Sequence, residues 1–329
     1  MRLLSASDIQ GLVSMADAIA VVKRAFAELS TGEATVPVRT VMATAAHGGT
    51  ALYMPAYLAA SQSLGLKAVA VYPSNRERGL PTIFAAVLLQ DAATGRPSAL
   101  IEGTYLTALR TGAATGAATD VLARAEACRL CLFGTGGQAP AQLEAVCAVR
   151  PIAAVWICGR HTAKVIDFIA RMRSTPFAQH LEFHVAANPR QAVYMADIIV
   201  TATSARAPLF AAADVRAGTH VNAIGAFTPD MLEVPQELVA GAKVVVDSRE
   251  ACMAEAGDIL IPMREGVISA SHIYAELGEL VAGQKPGRTD DAEITLFKSV
   301  GNAVQDLAVG QLALQRAERD GLGQVVDLG

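Results

Sequence analysis

Three cationic residues interrupt apolar stretches in the first third of the chain: Arg39, Lys67 and Arg110. A single lysine or arginine in such a stretch is usually a surface residue whose charged end reaches water. Three of them, with few acidic residues close by in sequence, suggest a shared anionic ligand. Because a guanidinium group presents a planar fork of N–H donors, a small carboxylate suits this set. We therefore expect the three side chains to converge on a carboxylate.

A glycine-rich segment lies between the apolar run 129–133 and a helical stretch. The segment consists of Gly134, Thr135, Gly136, Gly137, Gln138 and Ala139. It fits the pattern G-x-G-x-x-A, in which the first glycine permits a tight turn and the second lets backbone N–H groups approach a pyrophosphate. The helix N-terminus then faces the negative phosphates. A glycine turn without a ligand is the alternative, but the strand before it and the helix after it favour a dinucleotide site.

The residues after the next strand distinguish between the two nicotinamide cofactors. An NAD site usually carries an acidic residue there, which binds the ribose 2′-hydroxyl. Here the strand ending at Cys158 continues into Gly159, Arg160 and His161, and no carboxylate is present. Arg160 offers a planar fork for a 2′-phosphate, with His161 as a further donor, although a solvated surface arginine is the alternative. We predict that NADPH is preferred, with NADH as the second choice.

The first third of the chain reads as one helix followed by strands and a second helix. Ser14 is the candidate N-cap of the first helix, which Gly32 ends. The predicted strands are Val36–Met42, Ala51–Tyr57, Leu66–Tyr72, Thr82–Gln90 and Pro97–Glu102. Consecutive strands without helices between them predict an antiparallel or mixed sheet. Thr104 is the candidate cap of a long helix that reaches Leu122.

From Cys128 onward, strands alternate with helices, which predicts a doubly wound parallel sheet. The predicted strands are Arg129–Phe133, Ala154–Cys158, Glu182–Val185, Ile198–Thr201, His220–Ile224 and Val244–Asp247. The predicted helices include Ala139–Val149, Thr162–Met172 and a final one over Ala292–Gln315, which is expected to return to the first domain. The expected fold is α/β: a Rossmann doubly wound parallel sheet over 115–301, plus a discontinuous α+β substrate-binding and dimerisation domain over 1–114 and 302–329.

Composition excludes several classes of protein. Of 329 residues, 52% are hydrophobic and 18% are charged, which is typical of a chain with well-buried strands rather than a disordered one. The net charge of −4 gives no sign of nucleic-acid binding, and no apolar run is long enough to cross a membrane. Five cysteines, an odd number, indicate a reducing compartment, so we expect a cytoplasmic protein. Cys128 and Cys131 match C-x-x-C without a second pair of ligands, so no metal site is expected.

An ordered set of short motifs resembles the ornithine cyclodeaminase/μ-crystallin family across almost the whole chain. These motifs are Leu66–Ala68, Gly79–Ile83, Leu106–Gly112, Gly134–Ala139 and Thr295–Gly301. The resemblance implies a homodimer whose first domains pair through their sheets. It also implies that Arg39, Lys67 and Arg110 bind a substrate carboxylate and that Thr82 lines the same pocket. Cofactor contacts are implied at Thr111, Gly112, Thr201, Ala202, Thr203, Ile224, Lys298 and Gly301.

One position departs from the cyclodeaminases. They place an aspartate shortly after the strand that here reads 220–225, and the aligned residue is Phe227. Asp230 follows three positions later, beyond Pro229, and is not treated as its substitute. The segment Gly225–Met231 is similar instead to the family's reductases of Δ1-pyrroline-2-carboxylate and Δ1-piperideine-2-carboxylate. A cyclic imine has no free distal amine to orient, so an apolar wall at Phe227 suits its ring methylenes.

These features predict an NADPH-dependent ketimine reductase that forms L-proline or L-pipecolate by hydride transfer to the imine carbon. Lys67, close to two guanidinium groups, is expected to have a lowered pKa and to protonate the imine nitrogen, unless the imine arrives protonated and Lys67 acts only electrostatically. An ornithine cyclodeaminase and a reductive aminase of the alanine dehydrogenase or opine type are the alternatives. A more remote one is a non-catalytic ligand-binding protein like μ-crystallin.

Overall fold

Residues 1–327 are described by the computed structural model, which divides the chain into two compact units. Unit 1 comprises Met1–Arg110 and the segment from Asn302 onward, and unit 2 comprises Thr111–Gly301. The sequence had placed the first boundary after residue 114. The roles assigned to the two parts from the sequence remain predictions.

The elements are numbered in chain order. The strands are β1 (Arg2–Leu4), β2 (Ala34–Thr35), β3 (Thr40–Thr44), β4 (Gly49–Leu58), β5 (Ser63–Val71), β6 (Ile83–Asp91), β7 (Pro97–Glu102), β8 (Arg129–Phe133), β9 (Ala154–Cys158), β10 (Glu182–Val185), β11 (Ile198–Thr201), β12 (His220–Ala223), β13 (Lys243–Val246), β14 (Ile273–Glu276), β15 (Thr295–Lys298) and β16 (Gln324–Val325). The helices are α1 (Ala6–Leu12), α2 (Met15–Ser30), α3 (Gly103–Leu122), α4 (Ala139–Val149), α5 (Thr162–Arg173), α6 (Pro189–Met195), α7 (Gln236–Gly241), α8 (Arg249–Glu255), α9 (Gly257–Arg264), α10 (Leu277–Val281) and α11 (Ala303–Asp320).

Unit 1 is built on a mixed sheet with the order β16-β1-β7-β6-β5-β4-β2, and β3 pairs with β4. Neighbouring strands are antiparallel except for β1 and β7. Because side chains alternate between the two faces of a strand, Met54, Lys67 and Val87 form one cross-strand row. All three side chains are buried. The row thus places a lysine in the interior of unit 1, where helix α11 packs against β4, β5 and β6.

Two details of unit 1 correct the expectations from sequence. Arg39 is not inside a strand, because β2 ends at Thr35 and β3 begins at Thr40. Pro37 lies in this gap and has no backbone N–H to donate to a neighbouring strand, which accounts for the interruption. Helix α3 is capped by Glu102 rather than by Thr104. The Glu102 carboxylate accepts hydrogen bonds from the backbone N–H groups of Thr104 at 2.7 Å and Tyr105 at 2.8 Å.

Unit 2 contains an eight-stranded sheet with the order β10-β9-β8-β11-β12-β15-β13-β14. Every neighbouring pair is parallel, which confirms the predicted doubly wound α/β class. Strands β9 and β10 lie on one side of β8, and the strands that follow them in the chain, beginning with β11, lie on its other side. The strand order therefore reverses at β8. Parallel sheets of this kind bind ligands at the carboxyl ends of the strands beside such a reversal. The segments after β8, β9, β11 and β12 are therefore the places where a ligand is expected.

The predicted final helix is wrong at its beginning. Residues Thr295–Lys298 form β15, which lies between β12 and β13, and helix α11 begins only at Ala303 and ends at Asp320. The side chain of Asn302 caps it by accepting a hydrogen bond from the N–H of Val304 at 3.1 Å. The apolar run around β15 has no helical period of its own, and pairing with two neighbouring strands determined its conformation.

The cysteines and the helices give two further observations. All five cysteines, Cys128 among them, carry free thiols, and Cys131 and Cys158 are buried in the adjacent strands β8 and β9. Within residues 1–327 no group of three or more histidine, cysteine, aspartate or glutamate side chains is arranged to hold a metal ion. No helix in that range combines the length and the apolar character needed to cross a membrane.

Candidate active site

A buried cluster in unit 1 joins two of the three predicted cations. Lys67 comes from β5, Arg110 from α3 and Asp306 from the first turn of α11. The Lys67 Nζ lies 2.8 Å from one carboxylate oxygen of Asp306, and the Arg110 Nε lies 3.0 Å from the other. Arg110 also donates a hydrogen bond of 2.6 Å from Nη1 to Oε1 of Gln305. Neither bond of Arg110 uses Nη2, so this arrangement leaves an edge of the guanidinium for another acceptor.

The charges in this cluster do not balance. Burial, the largest cause, and the charge of Arg110 lower the pKa of Lys67, Asp306 opposes both, and the resulting pKa is about 8. The charge of Arg39 makes a smaller contribution in the same direction, and its contact with a substrate remains a prediction. One buried carboxylate therefore faces two buried cations, Lys67 and Arg110, and a buried excess of positive charge favours an anionic ligand. The expected direction of the Lys67 shift is correct, although burial rather than the neighbouring guanidinium groups is its largest cause.

The other residues predicted for this pocket lie at strand ends. Arg39 is half-buried directly before β3, and Thr82 is half-buried directly before β6. The backbone oxygen of Thr82 accepts a hydrogen bond of 2.8 Å from the N–H of Tyr72, which follows β5. This bond places Thr82 beside the end of the strand that carries Lys67. The contact of Thr82 with a substrate remains a prediction.

Asp306 and Gln305 were missed at the sequence level. Both are completely buried, although they stand in the apolar stretch from Ala303 to Gly310. An acidic residue on a buried helix face is rare unless it is paired, so this position was a usable signal. The signal was lost because the final helix was placed over 292–315, which put its capped N-terminus in the wrong position.

The glycine-rich segment in unit 2 has the geometry that a dinucleotide requires. Gly134 has a φ of +106°, and a Cβ there would lie 2.5 Å from the backbone oxygen of Ala202. Only glycine fits this turn. By contrast, a Cβ on Gly136 or Gly137 would meet nothing within 4 Å, so open space lies above the backbone where a pyrophosphate would bind. Helix α4 begins at Ala139, so the positive end of its dipole faces this site, although the Ala139 N–H already bonds to the backbone oxygen of Gly136 and Pro140 has no N–H.

The neighbouring positions in unit 2 are consistent with this site. A Cβ on Gly112 would lie 2.5 Å from the backbone oxygen of Ala141, so α3 and α4 approach closely there. Thr111 precedes it on the same helix. Gly159 follows β9, and a Cβ there would lie 3.8 Å from the Thr135 methyl group. Arg160 and His161 come next and are exposed, as residues that contact a ribose phosphate must be before the ligand binds.

A buried carboxylate connects the segments that follow β11 and β12. Glu233 accepts hydrogen bonds from the Thr201 hydroxyl, from the N–H and hydroxyl of Thr203, and from the N–H groups of Gly225 and Ala226, over 2.6 to 3.1 Å. Burial raises the pKa of Glu233, and these donors satisfy its oxygens. Ala202 lies between two of the donors, and the N–H of Ile224 bonds to the backbone oxygen of Thr201 at 2.9 Å. Glu233 thus aligns the predicted cofactor contacts after β11 with those after β12.

A cofactor contact was predicted for Lys298, but its side chain lies in the interior of unit 2. Its ammonium is completely buried, lies 2.9 Å from the Asp258 carboxylate and donates a hydrogen bond of 2.5 Å to the backbone oxygen of Ala226. Burial alone lowers the pKa of Lys298, but Asp258 and Glu233 together raise it. The side chain therefore supports the segment after β12 from inside unit 2. Gly301, with a φ of +86°, donates its N–H to the Asp247 carboxylate at 2.7 Å.

Phe227 directly follows the segment that Glu233 and Lys298 hold, and 45% of its side chain is exposed. Asp230 is engaged elsewhere. Its carboxylate accepts a hydrogen bond of 2.6 Å from the Thr228 hydroxyl and forms an ion pair with Arg206. This segment therefore exposes an aromatic ring at Phe227, and the contact of that ring with a substrate remains a prediction.

Comparison with known proteins identifies the family. A model of the ornithine cyclodeaminase/mu-crystallin family matches residues 1–321. The chain belongs to this family. A Delta(1)-pyrroline-2-carboxylate reductase of Bacillus cereus is 43% identical over 99% of this chain and all of that protein. The resemblance inferred from the five motifs is thereby confirmed.

Solved structures of other members of the family have the same fold. A Delta(1)-pyrroline-2-carboxylate reductase of Thermococcus litoralis, in complex with NADH and L-proline, superposes with a TM-score of 0.94 at 44% identity and covers 99% of this chain and 100% of its own. An archaeal alanine dehydrogenase dimer with bound NAD gives a TM-score of 0.93 at 34% identity and covers 100% and 99%. The family resemblance thus extends over both units, and the nicotinamide cofactors of these relatives agree with the glycine loop described above.

Proposed function

We propose that this protein is an NAD(P)H-dependent ketimine reductase that converts Δ1-pyrroline-2-carboxylate to L-proline. The observation that supports this most strongly is the buried cluster of Lys67, Arg110 and Asp306, in which positive charge exceeds negative charge. A small 2-carboxylate substrate supplies the missing negative charge. The reductases of Bacillus cereus and Thermococcus litoralis agree with this substrate class.

Arg110 is the anchor for the substrate carboxylate in this proposal. Asp306 and Gln305 hold Nε and Nη1, so the guanidinium cannot rotate and Nη2 is directed to one side. A donor that is already oriented loses little entropy when it binds a ligand. Arg39 adds a second positive charge. Fixing the carboxylate at one end of a small ring determines which face of the imine carbon is presented for reaction.

Lys67 is the proposed proton donor. With its pKa lowered to about 8, the ammonium is mostly protonated at neutral pH and gives up its proton more readily than an ordinary lysine. When it is bound, the reduced nicotinamide supplies the hydride that reaches the imine carbon. The proton from Lys67 goes to the imine nitrogen, so the product is a secondary amine, and Lys67 then recovers a proton from water.

The finer features of the proposal concern cofactor and ring size. We propose NADPH as the preferred cofactor, because Arg160 stands after β9 where an NAD site usually has an acid. NADH is the cofactor named for the Thermococcus litoralis reductase, so the preference is a specific claim about this chain. We also include Δ1-piperideine-2-carboxylate, which gives L-pipecolate, because the apolar ring of Phe227 suits the methylenes of a six-membered as well as a five-membered ring.

We further propose a cytoplasmic homodimer. The free thiols of all five cysteines suit a reducing compartment. On the face of the unit 1 sheet opposite Lys67, the side chains of Met42, Tyr53 and Phe84 are exposed on β3, β4 and β6. An apolar sheet face of this kind is typical of an interface between subunits. The alanine dehydrogenase relative is a dimer, which agrees with this assembly.

The direct test follows NADPH oxidation with each of the two cyclic imines. Reduction of pyrroline-2-carboxylate with formation of L-proline supports the proposal. The same assay with pyruvate and ammonia tests alanine dehydrogenase activity, which the second solved relative makes the leading alternative. Ammonia release from ornithine with NAD tests the cyclodeaminase. Cofactor binding without turnover in any assay would leave a ligand-binding protein and would refute the proposed reductase.

A further inference from the structure

The acid in the cluster has no direct access to a ligand. The Asp306 side chain is completely buried, whereas the side chains of Lys67 and Arg110 are 2% and 6% exposed. Its two carboxylate oxygens bind different partners, with Oδ2 at 2.8 Å from the Lys67 Nζ and Oδ1 at 3.0 Å from the Arg110 Nε. One rigid group therefore determines the spacing between the proposed proton donor and the proposed anchor.

We propose that Asp306 is a positioning residue for the imine reduction, whose carboxylate holds the Lys67 ammonium and the Arg110 guanidinium at one fixed separation and keeps Lys67 protonated between turnovers. This inference rests on the proposed function. It goes beyond that function because it assigns the geometry and the protonation of the donor to a residue that does not touch substrate.

The electrostatic setting supports this role. Lys67 faces Asp306 from α11 and Arg110 from α3, and the charge of Arg39, from the segment before β3, also lowers its pKa. Its partners on the neighbouring strands, Met54 and Val87, cannot titrate. Burial and both arginines favour the neutral amine, and Asp306 opposes them. Without the carboxylate, Lys67 would lose its proton at a lower pH and would be a poor acid in the neutral range.

The test compares the pH dependence of kcat/KM in the unmutated protein and in Asp306→Asn. Because an opposite charge within hydrogen-bond distance shifts a pKa by about 1–3 units, the alkaline limb should move down by about 1–3 pH units. Gln305→Met is the matched control. It removes a hydrogen bond to Arg110 from the adjacent position of α11 without removing a charge, so activity should fall while the limb stays in place. A limb that does not move in Asp306→Asn would refute the proposal.

A second variant covers the case in which Asp306→Asn does not fold, since it leaves two buried cations with less compensation. Asp306→Glu retains the charge and moves it by one methylene. It should keep the alkaline limb within a few tenths of a pH unit and lower kcat/KM at least tenfold, because the separation of Lys67 and Arg110 changes. If the kcat/KM of Asp306→Glu equals that of the unmutated protein, the positioning role is refuted.

A measurement without substrate separates failure of this inference from failure of the proposed function. The chain has only six lysines, so the Lys67 signal of ¹³C-lysine-labelled protein can be assigned by comparison with Lys67→Arg. We expect it to titrate near pH 8 in the unmutated protein and lower in Asp306→Asn. If no imine is reduced but this shift appears, only the proposed function has failed. If imine is reduced and the shift is absent, only the inference about Asp306 has failed.

Discussion

Replacing the anchor provides the sharpest test of the site. Arg110→Ala removes the guanidinium edge that is proposed to bind the substrate carboxylate. A hydrogen bond to a charged group is worth about 1.5–3 kcal/mol, and the proposed contact uses two of them from a side chain that is only 6% exposed. A loss of about 3 kcal/mol corresponds to a fall in kcat/KM of roughly 100-fold or more. The loss should appear as a higher KM and a lower kcat, because the anchor acts on binding and on orientation.

The same variant should also change the pH profile, and the sign follows from the charges. Arg110 lowers the pKa of Lys67, so its removal raises that pKa while Asp306 remains in place. The protonated form of Lys67 then persists to higher pH, and the alkaline limb of kcat/KM moves upward. This is the opposite direction to that expected for Asp306→Asn. Removal of Arg110 should therefore raise the pKa of Lys67, and removal of the Asp306 charge should lower it.

The assay is the oxidation of NADPH with pyrroline-2-carboxylate between pH 6 and 10, together with a fluorescence titration of NADPH binding. Cofactor affinity should be unchanged, because the proposed pyrophosphate contacts come from the glycine loop and not from the Arg110 side chain. Loss of NADPH affinity with unimpaired imine turnover would show that Arg110 belongs to the cofactor site. An alkaline limb that moves downward would refute the charge model of the cluster.

Three further variants test the other parts of the site. We expect the unmutated protein to prefer NADPH over NADH at least tenfold in kcat/KM, which corresponds to about 1.4 kcal/mol. Arg160→Ala should remove most of this preference, whereas Arg171→Ala, at an exposed position on α5, should leave it intact. Equal use of NADPH and NADH by the unmutated protein would contradict the assignment. Phe227→Asp should reduce imine turnover with little loss of stability, since the position is 45% exposed. The unmutated protein should release no ammonia from ornithine. Strong ammonia release would make the cyclodeaminase the better assignment. Lys298→Met should lower the free energy of unfolding in urea by about 3–5 kcal/mol because Asp258 is left uncompensated, and a loss below about 1 kcal/mol would show that the buried pair is not needed for stability.

Local patterns in the sequence were sufficient for the elements whose conformation depends on neighbouring residues. The glycine loop needs a positive φ at Gly134 and open space at Gly136 and Gly137, and both requirements are visible as glycines at fixed spacing. The parallel sheet followed from the regular alternation of strands and helices, and Ser14 could be recognised as a cap from its side chain and position. Resemblance to the family added the substrate class, which no local pattern contains.

Tertiary structure decided the partners of the charged residues. Arg110 and Asp306 are 196 positions apart, and no period or spacing connects them. Lys298 is part of a family motif, yet its pairing with Asp258 inside unit 2 became visible only when β15 was found between two strands. The sequence alone determined that cations stand in apolar surroundings. Only the folded chain determined which carboxylate meets them, because burial and pairing of charges depend on distances in space rather than along the chain.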